Sequence, residues 1–289
     1  MEWVWKCRDR VMASPGAPFV MGVLNVTPDS FSDGGRFDTP RQAIEAGLRL
    51  LEEGADLLDV GGESTRPGAE AVTEAEEIAR VVPVIEGILR QRPGAQISVD
   101  TTKAAVAEGA LRAGAVIVND VSALAADPGM AAVARTWGAG VVAMHMRGTP
   151  RTMQDAPRYA DVVGEVGAYL AGRRAALEAA GLDADRLAVD PGIGFGKTVE
   201  HNLQLLAHLG TFAAAGRPVV VGVSRKSFIG RLTGRDTGER LAGSLATAAF
   251  CALNGAAVLR VHDVAATVDA VRMLRALQGA RRDGGGVTP

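Results

Sequence analysis

The apolar runs of this chain end, one after another, in residues able to do chemistry. In chain order the ends are Asn25, Asp59 with Glu63, Asp100, Asn119 with Asp120, His145, Asp190, then Ser224, Arg225 and Lys226, and finally Arg260 with His262. A lone buried Asp is usually a satisfied structural group. So many polar ends converging without a ligand would be costly to bury. Their types narrow the ligand. Asp100, Asn119 and Asp190 suit the edge of a planar, nitrogen-rich heterocycle, because a carboxylate accepts two N–H bonds side by side. They point to a guanidine-like edge. Arg260, His262, Ser224 and Arg225 suit an anion, phosphate above all. Asn25 offers an oxygen to a magnesium ion sharing that phosphate.

Such convergence needs elements that bring the ends to one place. Eight runs rich in Val, Leu and Ile are too continuous for half-exposed strands: Phe19–Val26, Asp56–Val60, Gln96–Asp100, Val116–Asp120, Gly140–His145, Leu187–Asp190, Pro218–Val223 and Ala257–Val261. Between them lie segments of helical spacing, among them Arg41–Glu53, Thr73–Gln91, Lys103–Ala113, Asp161–Ala180, Glu239–Leu253 and Ala265–Gln278. This is the pattern of a single (β/α)8 barrel, an α/β fold that carries its chemistry on loops after the strands. An open doubly wound sheet usually has fewer strands and a glycine fingerprint after the first. Residues 1–18 are expected as an extension capping the barrel bottom, 19–278 as the barrel, and 279–289, with its GGG run, as a mobile tail.

Composition excludes several classes. Lys and Arg total 31 against 33 Asp and Glu, so there is no basic footprint for a nucleic acid. Two cysteines, Cys7 and Cys251, build neither a disulfide scaffold nor a metal site and are expected as reduced, buried thiols. No apolar run approaches the ~18 residues of a membrane span, and the N-terminus lacks a secretory h-region, so a cytoplasmic protein is expected. Only four of the basic residues are lysine, which lends weight to Lys226 at a strand end. The string DPGIGFGKT tempts a phosphate-loop reading, but Pro191 stands where that motif needs glycine. Its glycines instead let the backbone pass close to a flat ligand, with Phe195 offering a ring face. His145 has no partner at metal-ligand spacing and reads as a core or supporting histidine.

The motifs MGVLNVTPDSFSDGG (21–35), DVGGESTRPG (59–68), SVDTTK (98–103), NDVS (119–122), MHMRGTP (144–150), DPGIGFGKT (190–198), VGVSRKSFIGR (221–231) and RVHDV (260–264) resemble the dihydropteroate synthase family. The resemblance spans about residues 19 to 278, every motif in order at a strand end. It implies a transferase joining 7,8-dihydropterin-6-ylmethyl diphosphate to p-aminobenzoate, with release of diphosphate, in folate synthesis. Asp100, Asn119, Asp190, Lys226, Met144, Phe195, Gly222 and Arg260 would bind the pterin. Asn25, Thr65, Arg260 and His262 would hold diphosphate, with Asn25 on Mg2+; Phe31, Thr65, Arg66, Pro67, Ser224 and Lys226 would receive p-aminobenzoate. Asp100, Lys226, Asn25, Arg260 and His262 would carry the catalysis, with diphosphate leaving before the amine attacks. The resemblance further implies competition by sulfonamides and a homodimer through the last helices.

Other readings make distinguishable demands. A pterin-dependent methyltransferase should lack SRKSFIG and the TPDSFSDGG loop, and both are present. A non-catalytic pterin-binding paralogue should show erosion in the first two loops or in SRK, and none is visible. A purely structural barrel fails on the density of polar strand ends. For Asp29 and Asp33 a turn-capping role stands level with a functional one.

Overall fold

A computed structural model describes residues 3–13, 16–27, 39–64, 71–149 and 151–283. An antiparallel hairpin, β1 (Val4–Cys7) with β2 (Arg10–Ala13), comes first. Parallel strands follow: β3 (Phe19–Asn25), β4 (Leu57–Gly61), β5 (Ile97–Asp100), β6 (Ile117–Asp120), β7 (Gly140–Met144), β8 (Leu187–Asp190), β9 (Val220–Gly222) and β10 (Val258–Val261). Strands β3 to β8 pair in chain order, β10 pairs with both β3 and β9, and a parallel bridge between Val189 and Val219 joins β8 to β9. The eight-stranded sheet thus closes on itself, and the expected (β/α)8 barrel is the fold observed.

The connecting helices are α1 (Thr39–Glu52), α2 (Glu74–Gln91), α3 (Ala104–Ala113), α4 (Met130–Trp137), α5 (Val162–Ala179), α6 (Val199–Ala207), α7 (Leu209–Ala213), α8 (Ser227–Thr233), α9 (Leu241–Leu253) and α10 (Val264–Asp283). Helix α2 shows how the sequence sets one up. Thr73 and Glu76 form a reciprocal capping box at its start, and Val81, Val84, Ile85 and Ile88 form the buried stripe. Helix α10 corrects the expected tail at Gly279. A glycine within a helix costs only about 1 kcal/mol, and the Ala-Arg-Arg that follows favours helix, so α10 runs on to Asp283.

The barrel interior is layered, because residues two apart on a strand share a face. Met21, Leu57, Ile117, Val142, Ala188, Val220 and Val258, near the strand beginnings, pack with Trp5, Cys7 and Met12 of the hairpin into an apolar cluster separate from the one under the helices. The hairpin therefore plugs the barrel bottom. Trp5 is fully buried and its Nε1 donates to the carbonyl of Arg186 at 2.9 Å. Gly140 makes the approach possible, since a Cβ there would lie 2.4 Å from Cys7 Sγ. Two residues further along the same strands stand Asp59, Asn119, Met144, Asp190, Gly222 and Arg260, and the interior turns polar.

Candidate active site

A narrow cleft opens over this upper layer, lined by Asp100, Asn119, Met144, Asp190, Phe195, Gly222, Lys226 and Arg260, together with Val121, Gly192 and Ile193. Every residue expected to touch the heterocycle therefore lies in one cleft. The arrangement is organised by Arg260. Its Nε donates to Asp59 Oδ2 at 2.5 Å and its Nη2 to Asp100 Oδ2 at 2.8 Å, so one guanidinium from β10 spans the ends of β4 and β5. Asn119 Nδ2 donates to the same Asp59 oxygen at 3.0 Å, which leaves the amide oxygen and the second N–H of Asn119 for a ligand. Asp59 is fully buried and its Oδ1 has no hydrogen-bond partner among the described residues. Its place here, as the anchor of two cleft residues, is a role the sequence reading did not assign.

Burial tunes the charges. It raises the Asp100 carboxyl to about 7, against the pull of the Arg260 cation. Asp190 is also pushed up by burial, opposed by the N–H of Gly192, which donates to its Oδ1 at 2.6 Å. Burial, aided by the nearby Arg260 cation, lowers the Lys226 ammonium to about 8. Lys226 Nζ lies 4.1 Å from the centre of the Phe195 ring, a cation–π contact across the cleft. Together these groups line the cleft with both acceptors and cationic donors.

The loop after β8 is held by side chains from several elements. Gly192 has φ +68°, and a Cβ there would fall 1.9 Å from the His145 carbonyl, so only glycine fits. Gln154 Nε2 donates to the carbonyl of Gly194, Tyr159 Oη donates to that of Gly196, and Asn202 Oδ1 accepts from Gly194 N. Lys197, 3% exposed, lies 3.0 Å from His145 Nδ1 and donates to the carbonyl of Phe195 at 2.9 Å. Burial lowers Lys197 to about 7 and His145 to about 3, which favours an uncharged imidazole beside this amine. His145 is a supporting group, and its partner Lys197 escaped the sequence reading, although its scarcity as a residue type was a signal.

Outside the cleft, Asn25 ends β3 beside Gly61 of β4. Ser224 Oγ accepts from the backbone N–H of His262 and lies 3.2 Å from its Nδ1. Arg225, expected among the anion ligands, instead forms a two-pronged ion pair with Asp263. Asp120 accepts from Ser122 N and Oγ and caps a turn. Lys103 bridges Glu63 and the fully buried Glu77 at 2.7 and 2.5 Å, a cluster also unforeseen. Phe31, Thr65, Arg66 and Pro67, with Asp29 and Asp33, lie outside the described residues.

Residues 21–262 match the model of the pterin binding enzyme family. The chain is 47% identical over 266 residues to dihydropteroate synthase of Escherichia coli strain K12, covering 92% of this chain and 94% of that one. This chain belongs to the dihydropteroate synthase family. Among solved structures of that family, the Xanthomonas albilineans enzyme with 4-aminobenzoic acid superposes with a TM-score of 0.90 at 50% identity, over 96% of this chain and 99% of that one. The same organism's dihydropteroate synthase in complex with 7,8-dihydropteroate matches with a TM-score of 0.86 at 48% identity, over 95% and 98% of the two chains.

Proposed function

We propose that the cleft performs the reaction of its family, transferring the dihydropterin-6-ylmethyl group from diphosphate to the amine of p-aminobenzoate, with the bond to diphosphate breaking first. The arrangement of Asp100, Asn119 and Asp190 around Arg260 and Lys226 is the observation that carries this reading. The Asp190 carboxylate and the Asn119 oxygen accept the N–H groups of the aminopyrimidine edge, while Lys226 donates to the ring's oxygen and nitrogen. Arg260, held by Asp59 and Asp100, lies over the ring face.

An aniline is a weak nucleophile, whereas departure of diphosphate leaves a cation delocalised into the dihydropterin. The work of the site is therefore to stabilise separated charges. Asp100 faces the cation and Arg260 with His262 faces the anion, fixed groups needing no reorganisation as the bond breaks. The proton of the alkylated amine is acidic enough to leave without a strong base. Among the described residues no three His, Cys, Asp or Glu side chains form a metal cage. The amide oxygen of Asn25, at the end of β3, is a hard donor that would fit one position on a magnesium ion otherwise held by substrate phosphate and waters, and such an ion would neutralise the leaving group.

Sulfonamides, as mimics of p-aminobenzoate, would compete at Ser224 and the loop beyond β4. The exposed Phe250 and Leu253 of α9 and Met273 and Leu277 of α10 support a homodimer through these helices. Among the described residues no helix is long and apolar enough to cross a membrane. Buried free thiols at Cys7 and Cys251 suit the reducing cytoplasm. The deciding experiment mixes pure protein, magnesium, the pterin diphosphate and labelled p-aminobenzoate. Labelled dihydropteroate is expected, and none with magnesium withheld; its absence from the complete mixture would refute the reading.

A further inference from the structure

Arg225 stands between two site residues, Ser224 and Lys226, yet its side chain leaves the site. Its φ of +57° is in the left-handed region that a residue with a Cβ avoids. Three neighbours hold it there. Its N–H donates to Ser244 Oγ at 2.9 Å, its carbonyl accepts from Arg240 Nη1 at 3.1 Å, and its guanidinium forks onto Asp263, Nε to Oδ2 at 3.0 Å and Nη2 to Oδ1 at 2.5 Å. This turn sends the neighbouring side chains toward the site. Lys226 Nζ reaches the Phe195 ring, and Ser224 Oγ reaches His262. Asp263 directly follows His262, so the ion pair ties the loop after β9 to the loop after β10 one residue from a site side chain on each.

We propose that Arg225 and Asp263 form a latch of positioning residues, which holds Lys226 and His262 in register with Arg260 and touches no substrate. The proposal rests on the reaction assigned above. A planar fork on a carboxylate fixes orientation as well as distance, which a lysine's point charge would not do. Both charges of the pair are spent on each other, so Arg225 has little left to offer an anion.

The test compares Arg225→Gly, Asp263→Asn and the double variant. Glycine adopts φ +57° freely, so the first removes the latch without adding backbone strain, and asparagine keeps a residue able to begin α10. Each single should lower kcat/KM for the pterin diphosphate, on the order of tenfold to hundredfold as expected for a misplaced group. The double should be no worse than the worse single, with Tm near the parent's because the pair is partly exposed. Arg225→Lys should recover only part of the loss. Parent-like kinetics in both singles would overturn the latch. So would loss in Arg225→Gly with full activity in Asp263→Asn, which would mark the guanidinium as a direct substrate ligand. If the parent chain itself made no dihydropteroate, the assigned reaction would fail. The latch would then stand or fall on pterin affinity, which must drop alike in both singles.

Discussion

Leu57 and Asp59 point into the barrel from one strand, two residues apart, as do Ala188 and Asp190, and Val258 and Arg260. The lower member of each pair packs in the apolar plug with Trp5 and Met12, while the upper member belongs to the charged layer beneath or around the cleft. The layers run on opposite physics. Below, every buried group gains by leaving water. Above, Asp59 has a buried oxygen with no partner among the described residues, and burial opposes ionisation of Asp100 and Asp190. The upper layer is a cost that the lower layer and the helices offset, and stability and chemistry can be altered separately along the same strands.

Trp5→Ala probes the lower layer alone and should have the largest effect. Emptying a fully buried Trp site costs about 3–5 kcal/mol of stability. Urea unfolding should show a lower midpoint at constant slope, while kcat of the folded protein stays at the parent value. A fall in kcat would mean that the layers are coupled. The reciprocal variant, Asp100→Ala, should lower kcat by about 10²-fold to 10³-fold, the usual loss when one preorganised charge-stabilising group is removed. Its unfolding midpoint should not fall as that of Trp5→Ala does, and parent-like turnover would place the charge stabilisation elsewhere.

The layering explains how much could be read from the sequence. An apolar run that stops abruptly at Asp100, Asn119 or Asp190 states a buried strand with a polar end, and those strands and ends are where the structure has them. Pairings across the barrel left no such trace. Asp59 and Arg260 are 201 residues apart, and nothing local says that one holds the other. Glu77 did leave a signal, since it lies on the apolar stripe of α2 four residues before Val81, where a charge must be paired. Side-chain direction at Arg225 was hidden as well, because residue type does not announce a left-handed turn. Helices α4, α6, α7 and α8 are too short for periodicity to declare them.

Within the upper layer the binding groups should matter less than the charge-stabilising one. Asp190→Asn and Lys226→Ala should each weaken pterin binding by about 1–3 kcal/mol, because each leaves a desolvated partner unpaired. Calorimetric titration with a pterin checks this, and unchanged affinity in both would detach the ring from these side chains.

The finest comparison is between two groups of the cleft, Asp100 and Lys226, read through pH. Asp100 is raised to about 7 and Lys226 lowered to about 8, so the free site holds a carboxylate and an ammonium together only in a narrow interval. The pH dependence of kcat/KM for the pterin diphosphate reports the free enzyme's groups. As pH falls through about 7, Asp100 takes up a proton and loses the charge that faces the developing cation, so the rate should drop. As pH rises through about 8, Lys226 loses its proton and no longer donates, so the rate should drop again. The result is a narrow bell whose limbs belong to an interacting set of groups. Lys226→Arg should remove the alkaline limb and keep the acid one, since arginine stays charged throughout. Asp100→Asn should remove the acid limb at reduced rate. Asp190 is also pushed up by burial, so an acid limb that survives in Asp100→Asn would belong to Asp190 and would move the cation-facing role to the end of β8.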